Sequence, residues 1–413
     1  MMNNPLPAMI NRLNVLGLNH SLGILTHGSI HSFLYDEEAF PVSLTMAVRS
    51  DPYNSGSLHA IFTQNLPEGY VRRYISDKLM RYGKINDMYL LALQGDDGIG
   101  ILQYEAGIKL PEPEHITLND ILDWDQAAPL FPQLLETYYL RGMTSGVQPK
   151  VMVPALPEQR TTVRQNKLIV KSFDDEYPLL TVNEYVCMNA AAACGLKPPK
   201  TWLSKNLEHF IIERFDRYGS QRMAVEDFCV LMGKRGDKKY LSSYESVLKA
   251  VKLFTGNQQQ VVEAYKLIVF NCLIGNGDAH LKNFALQYTP GKQDIKLCPA
   301  YDITNTLLYP TIDNKMALKL NRSKAFPSKK ELITFGEKFS ITETATLIDK
   351  LADGISDYIN KSDEIHLLDG LKTAIEKALG NAKTGIYTTQ QYRHDKNESL
   401  NNAIDDFYIT RKR

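Results

Sequence analysis

The sequence predicts an α+β fold, and three observations carry that prediction. Up to about residue 215, apolar residues come in short alternating runs broken by turn residues. From about Glu226 to Ala382 they recur mostly at helical spacing. At 413 residues, the chain is long enough for two or three packed units with their own cores. A β-rich part followed by a helical part reads as α+β.

The elements follow in order. Asn14 to Tyr35 reads as short strands, broken by the Gly17-Leu18-Asn19-His20 and His27-Gly28 turns. Ser57 to Tyr82 reads as a helical stretch, with Leu58, Ile61, Phe62, Val71, Tyr74, Ile75 and Leu79 as its apolar residues. The Asp- and Gly-rich loop Gly95 to Gly100 leads to a strand at Ile101 to Tyr104. The cluster Pro111-Glu112-Pro113-Glu114 is the expected linker. Residues 142 to 173 read as strand, loop, strand, with Val151 to Pro154 and Lys167 to Lys171 as the strands. Residues 178 to 194 read as helical, and Leu203 to Phe215 as β-like again. Phe284, Leu286 and Tyr288 alternate ahead of Thr289-Pro290-Gly291, which predicts a hairpin ending near Leu297. No repeat or low-complexity segment interrupts the chain, and the polar tail after Thr388 reads as a frayed terminus.

Composition narrows the function classes. Lys plus Arg equals Asp plus Glu, 47 each, so no global charge favours nucleic acid or an acidic membrane. The N-terminal residues lack a charged segment followed by a long apolar core, and no run of about 18 apolar residues occurs, so a cytoplasmic protein without a membrane span is expected. Cys187, Cys194, Cys229, Cys272 and Cys298 are odd in number and form no Cys-x-x-Cys, which reads as reduced thiols. His20, His27, His31, His59, His115, His209, His366 and His394 show no metal-ligand spacing.

The chemistry concentrates in Gly275-Asn-Gly-Asp-Ala-His-Leu-Lys-Asn-Phe284. An apolar run, Leu267 to Ile274, delivers this polar loop. Phosphoryl transfer needs an acid that orients the hydroxyl nucleophile and oxygen ligands for Mg²⁺, and in protein kinases one loop supplies an Asp and an Asn five residues apart. Asp278 and Asn283 have that spacing. A turn followed by a solvated helix start is the other reading. Asp302, 24 residues after Asp278 across the expected hairpin, can converge on the same metal; its alternative is a helix N-cap or turn. Lys171 ends an apolar strand, which suits a lysine reaching the α- and β-phosphates of ATP. Glu184 is a candidate to pair with it, although Thr181-Val-Asn-Glu184 also reads as a capping box. Together these give a bilobal kinase-like layout with ATP between the lobes. The expected parts are an N-terminal subdomain at 1–110, a β-rich nucleotide-binding lobe at 111–220, and a helical lobe at 221–413 that carries the catalytic and metal loops.

The segments Asn276-Gly-Asp-Ala-His-Leu-Lys-Asn-Phe284 and Pro299-Ala-Tyr-Asp-Ile303 resemble the signature of the HipA-like kinases, the toxin halves of bacterial toxin–antitoxin pairs. Asn65-Leu-Pro-Glu-Gly69 resembles the family's N-terminal subdomain, and Ser145-Gly-Val-Gln-Pro-Lys150 its nucleotide-covering loop. Ile212-Glu-Arg-Phe-Asp-Arg217 resembles its hinge, and Glu226-Asp-Phe-Cys229 the start of its helical lobe. The resemblance spans roughly residues 10 to 380. It implies an ATP- and Mg²⁺-dependent serine/threonine protein kinase with Asp278 as the catalytic acid and Asn283 and Asp302 on the metal. It further implies nucleotide contacts from Ser145, Gly146, Val147, Gln148, Pro149 and Lys150, and from Lys171, Glu213, Arg214, Phe215, His280, Lys282, Asn283, Tyr301 and Asp302. Gly146 would let backbone approach phosphate, and Lys150 would add charge.

Family members can phosphorylate a serine in the covering loop and so eject it. In Met143-Thr144-Ser145 only Ser145 remains for this role, with Thr144 as the neighbouring candidate. The resemblance also implies a small helix-turn-helix, HipB-like antitoxin partner, DNA contact only through that partner, and an aminoacyl-tRNA synthetase as protein substrate. A kinase-like corepressor scaffold with little catalysis is the alternative. A small-molecule kinase of the aminoglycoside type would share the Asp, Asn and Asp logic but not the Leu66-Pro-Glu-Gly69 and Ser145 to Lys150 matches.

Overall fold

A computed structural model describes residues 7–79, 83–95, 98–107, 116–126, 128–131, 133–134, 150–154, 167–173, 176–219, 221–292 and 294–384. The chain forms two compact units, each discontinuous in sequence. One comprises Met1–Ser172, Ser204–Arg235 and Leu286–Ile295; the other comprises Phe173–Leu203, Gly236–Ala285 and Lys296–Arg413.

The first unit is rich in strands. β1 (Arg12–Gly17), β2 (His20–His27), β3 (His31–Tyr35), β4 (Tyr53–Ser55) and β5 (Leu102–Glu105) form an antiparallel sheet in the order β4-β3-β2-β1-β5. Leu18 and Asn19 join β1 to β2 with φ of 52° and 66°, the two-residue geometry that matches strand twist. Leu13, Val15, Leu22, Leu25 and Phe33 are fully buried on the sheet's inner face, and the Phe33 ring packs 5.1 Å from that of Phe62.

The single helical stretch expected at 57–82 is instead two helices, Ala60–Thr63 and Gly69–Leu79. Pro67 lies between them; it lacks an N–H and disfavours helical geometry at Leu66, so the chain restarts at Gly69 with φ 52°. A further helix, Asp87–Gln94, escaped the sequence reading. Met88 to Gln94 are all buried, so its apolar residues have no one-sided period to reveal it. Its start is fixed by Asn86, whose side chain accepts from Tyr89 N at 2.9 Å.

β6 (Lys150–Pro154) and β7 (Lys167–Lys171) form where the alternating apolar residues predict them. They pair antiparallel, and β7 pairs in turn with the strand Phe210–Glu213. The register sets Lys171 opposite both Lys150 and Phe210. Just beyond, a buried ion cluster closes on the loop before β5. Arg214 donates to both Asp216 oxygens, at 2.9 and 2.6 Å, and to Gly98 O at 2.6 Å. Arg217 donates to Asp216 Oδ2 at 2.8 Å and Gly100 O at 2.7 Å, and Gly100 N donates to Asp216 Oδ2 at 2.8 Å.

The second unit is mostly helical. Its centre is the helix Gln258–Ile274, whose residues Leu267 to Ile274 are all buried. The helices Tyr244–Thr255, Thr344–Lys361 and Leu371–Thr384 pack against it, and Leu180–Ala193 packs against Thr344–Lys361. Short polar side chains set the starts. Ser243 and Asn257 cap the first two helices in chain order after residue 240, and Ser328 with Glu331 forms a capping box on Lys329–Glu337. The capping box expected at Thr181 to Glu184 does not form. That helix begins at Leu180 after Leu179, which has φ 54° and no side-chain cap, so Thr181 already lies inside it. Among the described residues no helix is long and apolar enough to cross a membrane.

Candidate active site

The site is built where the central helix stops. Gly275 ends the helix Gln258–Ile274 with φ 82°. Gly275 N donates to Cys272 O at 3.4 Å and Asn276 N to Asn271 O at 2.9 Å, a left-handed cap that satisfies the last carbonyls. The Asn276 amide donates to Asn271 Oδ1 at 2.7 Å, and its oxygen accepts from Asp278 N at 3.0 Å. Gly277 is required by space: a Cβ there would fall 2.6 Å from Lys315 O and 2.7 Å from Thr306 Oγ1. The chain then turns through His280 into a short 3₁₀ segment, Leu281–Asn283.

A second loop is fastened to the first. Thr306 N donates to Gly275 O at 3.1 Å, and Gly277 N donates to Thr306 Oγ1 at 2.8 Å. Asn305 Nδ2 donates to Ile274 O at 2.8 Å, while Asn183 makes a two-way clamp on Asn305, 2.8 Å in each direction. Asn305, rather than Asp302, caps the following 3₁₀ turn. Asp302 itself has φ 54°, a left-handed conformation uncommon outside glycine. Tyr301 Oη donates to Lys282 O at 2.8 Å. Asn283 joins both loops: its amide nitrogen donates to Asp278 O at 3.2 Å and to Asp302 O at 3.4 Å.

Asp278 therefore has a rigid main chain and a side chain at the surface. Its carboxylate is open on one side, yet protein crowds it enough that lost hydration pushes its pKa up to about 6. The Lys239 ammonium and a 3.2 Å hydrogen bond from Tyr240 Oη oppose that rise, and the Asp302 charge adds to it. Lys239 is only 4% exposed. The Tyr240 ring packs edge-on against His280 at 5.2 Å. Burial, with Lys239 nearby, holds His280 down to about 3, so its imidazole is neutral, and its Nδ1 has no hydrogen-bond partner.

The sequence reading missed Lys239 and Tyr240. Their signal was Gly233-Lys-Arg-Gly-Asp-Lys-Lys-Tyr240, a glycine-punctuated basic turn just before a helix cap.

The helical unit thus brings together Asp278, His280, Lys282, Asn283, Tyr301 and Asp302. Glu184 is in the same unit and fully buried. Lys171, Glu213, Arg214 and Phe215 belong to the strand-rich unit. Lys171 is 3% exposed, with Nζ 5.7 Å from the Phe210 ring centre. The Arg214 side chain is committed to Asp216 and Gly98. Ser145 to Pro149 lie outside the described residues, as do Met143 and Thr144; of Lys150 only the strand geometry is described.

Among the described residues no group of three or more His, Cys, Asp or Glu is arranged to hold a metal. A pair of oxygen ligands suits Mg²⁺ better, because that ion commonly takes one or two protein oxygens and completes its shell with phosphates and water. Asn283 meets that description: its amide nitrogen donates to Asp278 O and Asp302 O, so Oδ1 is the atom to coordinate, beside the Asp302 loop.

The chain also resembles known proteins along most of its length. Residues 142–359 match the model of the HipA-like C-terminal domain, and residues 13–105 that of the HipA N-terminal domain. The chain is 29% identical over 332 residues to Y4mE of Sinorhizobium fredii, a provisionally named kinase, covering 72% of this chain and 77% of that protein. It is 24% identical over 321 residues to the serine/threonine-protein kinase toxin HipA of Shewanella oneidensis, covering 70% and 72%. The fold is similar to HipA solved in complex with HipB and operator DNA from Shewanella oneidensis MR-1. That match has a TM-score of 0.67 at 19% identity and covers 94% of this chain and 99% of that one. With more than half of its length matched to the HipA-like C-terminal model and the N-terminal model matched ahead of it, the chain belongs to the HipA-like family.

Proposed function

We propose that this protein is an ATP- and Mg²⁺-dependent serine/threonine protein kinase that acts as the toxin of a toxin–antitoxin pair. One observation carries the reading: Asp278, Asn283 and Asp302 lie on two loops that hydrogen bonds fasten together. Asp278 orients the substrate hydroxyl and receives its proton as the oxygen attacks the γ-phosphorus. Asn283 and Asp302 hold Mg²⁺, which when bound neutralises charge on the β- and γ-phosphates. Neutral His280 and the Lys282 ammonium stand close to the transferred group. Lys171, the main chain of Glu213 to Phe215, and the loop Ser145 to Lys150 serve the nucleotide.

The protein substrate is an aminoacyl-tRNA synthetase, so that translation stalls, and a small helix-turn-helix antitoxin carries the pair to DNA. The synthetase and the antitoxin rest on family membership alone. Ser145 is the site of self-limiting autophosphorylation, since charge of about −2 beside the triphosphate repels it.

The deciding experiment incubates purified protein with labelled Mg-ATP and a panel of synthetases. Phosphate on a synthetase serine or threonine, lost in Asp278→Ala, supports the reading; no transfer to any protein, itself included, defeats it. Mass spectrometry of the same reaction places autophosphorylation on Ser145, and phosphate on Thr144 instead would move the site by one residue.

A further inference from the structure

The turn Gly236–Tyr240 forms no part of the ligand set above, yet it reaches the reacting carboxylate. Tyr240 Oη donates to Asp278 Oδ1 at 3.2 Å, and three features fix the donor in place. Its ring packs edge-on against His280 at 5.2 Å. The preceding residue, Lys239, is buried at 4% exposure, which anchors the turn. Leu241 N donates to Lys238 O at 3.0 Å and closes the turn behind the tyrosine. On the other side the Asp278 main chain is held by Asn276 Oδ1, His280 N and Asn283 Nδ2.

We propose that Tyr240 is a positioning residue for phosphoryl transfer, resting on the kinase reading above: its hydroxyl engages Oδ1 of Asp278 and thereby presents Oδ2 to the substrate hydroxyl. In the step so arranged, the substrate oxygen forms a bond to the γ-phosphorus and the bond from that phosphorus to the β–γ bridging oxygen breaks. ADP leaves with that electron pair, and the hydroxyl proton passes to Asp278 Oδ2. Tyr240 itself exchanges no proton. A carboxylate left to rotate about its Cβ–Cγ bond would spend part of its time with neither oxygen aligned, so the effect belongs to kcat rather than to nucleotide affinity.

Tyr240→Phe tests this, because it removes one oxygen and keeps the ring against His280. Full-length wild type and variant are compared for kcat, KM for ATP and melting temperature, with the protein itself as phosphoacceptor where no other is available. The expected result is a fall in kcat of roughly tenfold, the worth of one hydrogen bond to a charged group, with KM and melting temperature unchanged. Tyr240→Ala, which also loses the ring contact, should fall further. An active wild type whose Tyr240→Phe variant keeps its kcat overturns the inference and leaves the kinase reading standing. A fall in melting temperature that accounts for the lost activity also overturns it, by making Tyr240 structural. A wild type without phosphoryl transfer defeats the kinase reading, and this inference with it.

Discussion

Asp216 and Asp278 are both carboxylates hemmed in by protein, and the chain treats them in opposite ways. At Asp216 burial raises the pKa, but two guanidinium groups and a main-chain N–H more than offset it, so the group ends at about 2. At Asp278 burial also raises the pKa, one lysine and one tyrosine offset it only in part, and the group ends at about 6. Asp216 lies in the strand-rich unit, where it ties Arg214 and Arg217 to the loop at Gly98 and Gly100. Asp278 sits on a surface loop with a side chain left to work. Full compensation makes a fastener; partial compensation makes a group that can take a proton near neutral pH.

The sharpest way to break this contrast is Asp216→Ala. It strands two buried cations, and losing one partner of such a cluster costs about 3–5 kcal/mol. Chemical denaturation should read that loss, and equal stability to wild type would show the cluster to be idle. Asp278→Ala should do the reverse. It should lower phosphoryl transfer on the order of 10²-fold or more while leaving the fold intact. A folded variant with wild-type transfer would remove Asp278 from the mechanism.

The two carboxylates should also titrate with opposite signs. The folded pKa of Asp278 lies above the unfolded value of 3.8, so its ionisation is disfavoured in the fold and weakens it as pH rises through about 6. Asp278→Asn should therefore melt higher than wild type near neutral pH, and the gap should close in acid. Asp216 has a folded pKa below its unfolded 3.8, so its stabilising contribution is present above that value and is lost as pH falls towards about 2. Transfer by wild type should climb about tenfold per pH unit up to about pH 6 and then level off, because Asp278 must be ionised to take the proton. A rate flat across that range would contradict the assignment. The smallest expected effect is at the metal. Asp302→Asn should weaken Mg-ATP binding by about tenfold, or ~1.4 kcal/mol, and leave adenosine binding nearly unchanged. Equal losses in calorimetry would make Asp302 a turn residue.

Much of the helical half was legible in the sequence because its signals are local. The apolar run into Gly275 and the Asp278–Asn283 spacing each act within a turn or two of chain. The misreadings have local causes as well. Pro67 splits what the apolar pattern offered as one helix, and the fully buried Asp87–Gln94 has no polar face to give a period. Thr181 and Glu184 have the spacing of a capping box, but the helix begins two residues too early for them to form it.

The strand-to-helix order, the loop that carries Asp278 and Asn283, and the second loop with Asp302 could all be read along the chain. These follow from short-range patterning and from residue types that phosphoryl transfer needs. The rest depended on long-range packing. Asn183 fixes Asn305 from 122 positions away, and Tyr240 reaches Asp278 from 38 positions away. Arg214 meets the carbonyl of Gly98 across 116 positions. No periodicity encodes such contacts, because each depends on where two separate elements come to rest. The pKa of each carboxylate depends in turn on the charges and burial that those contacts create.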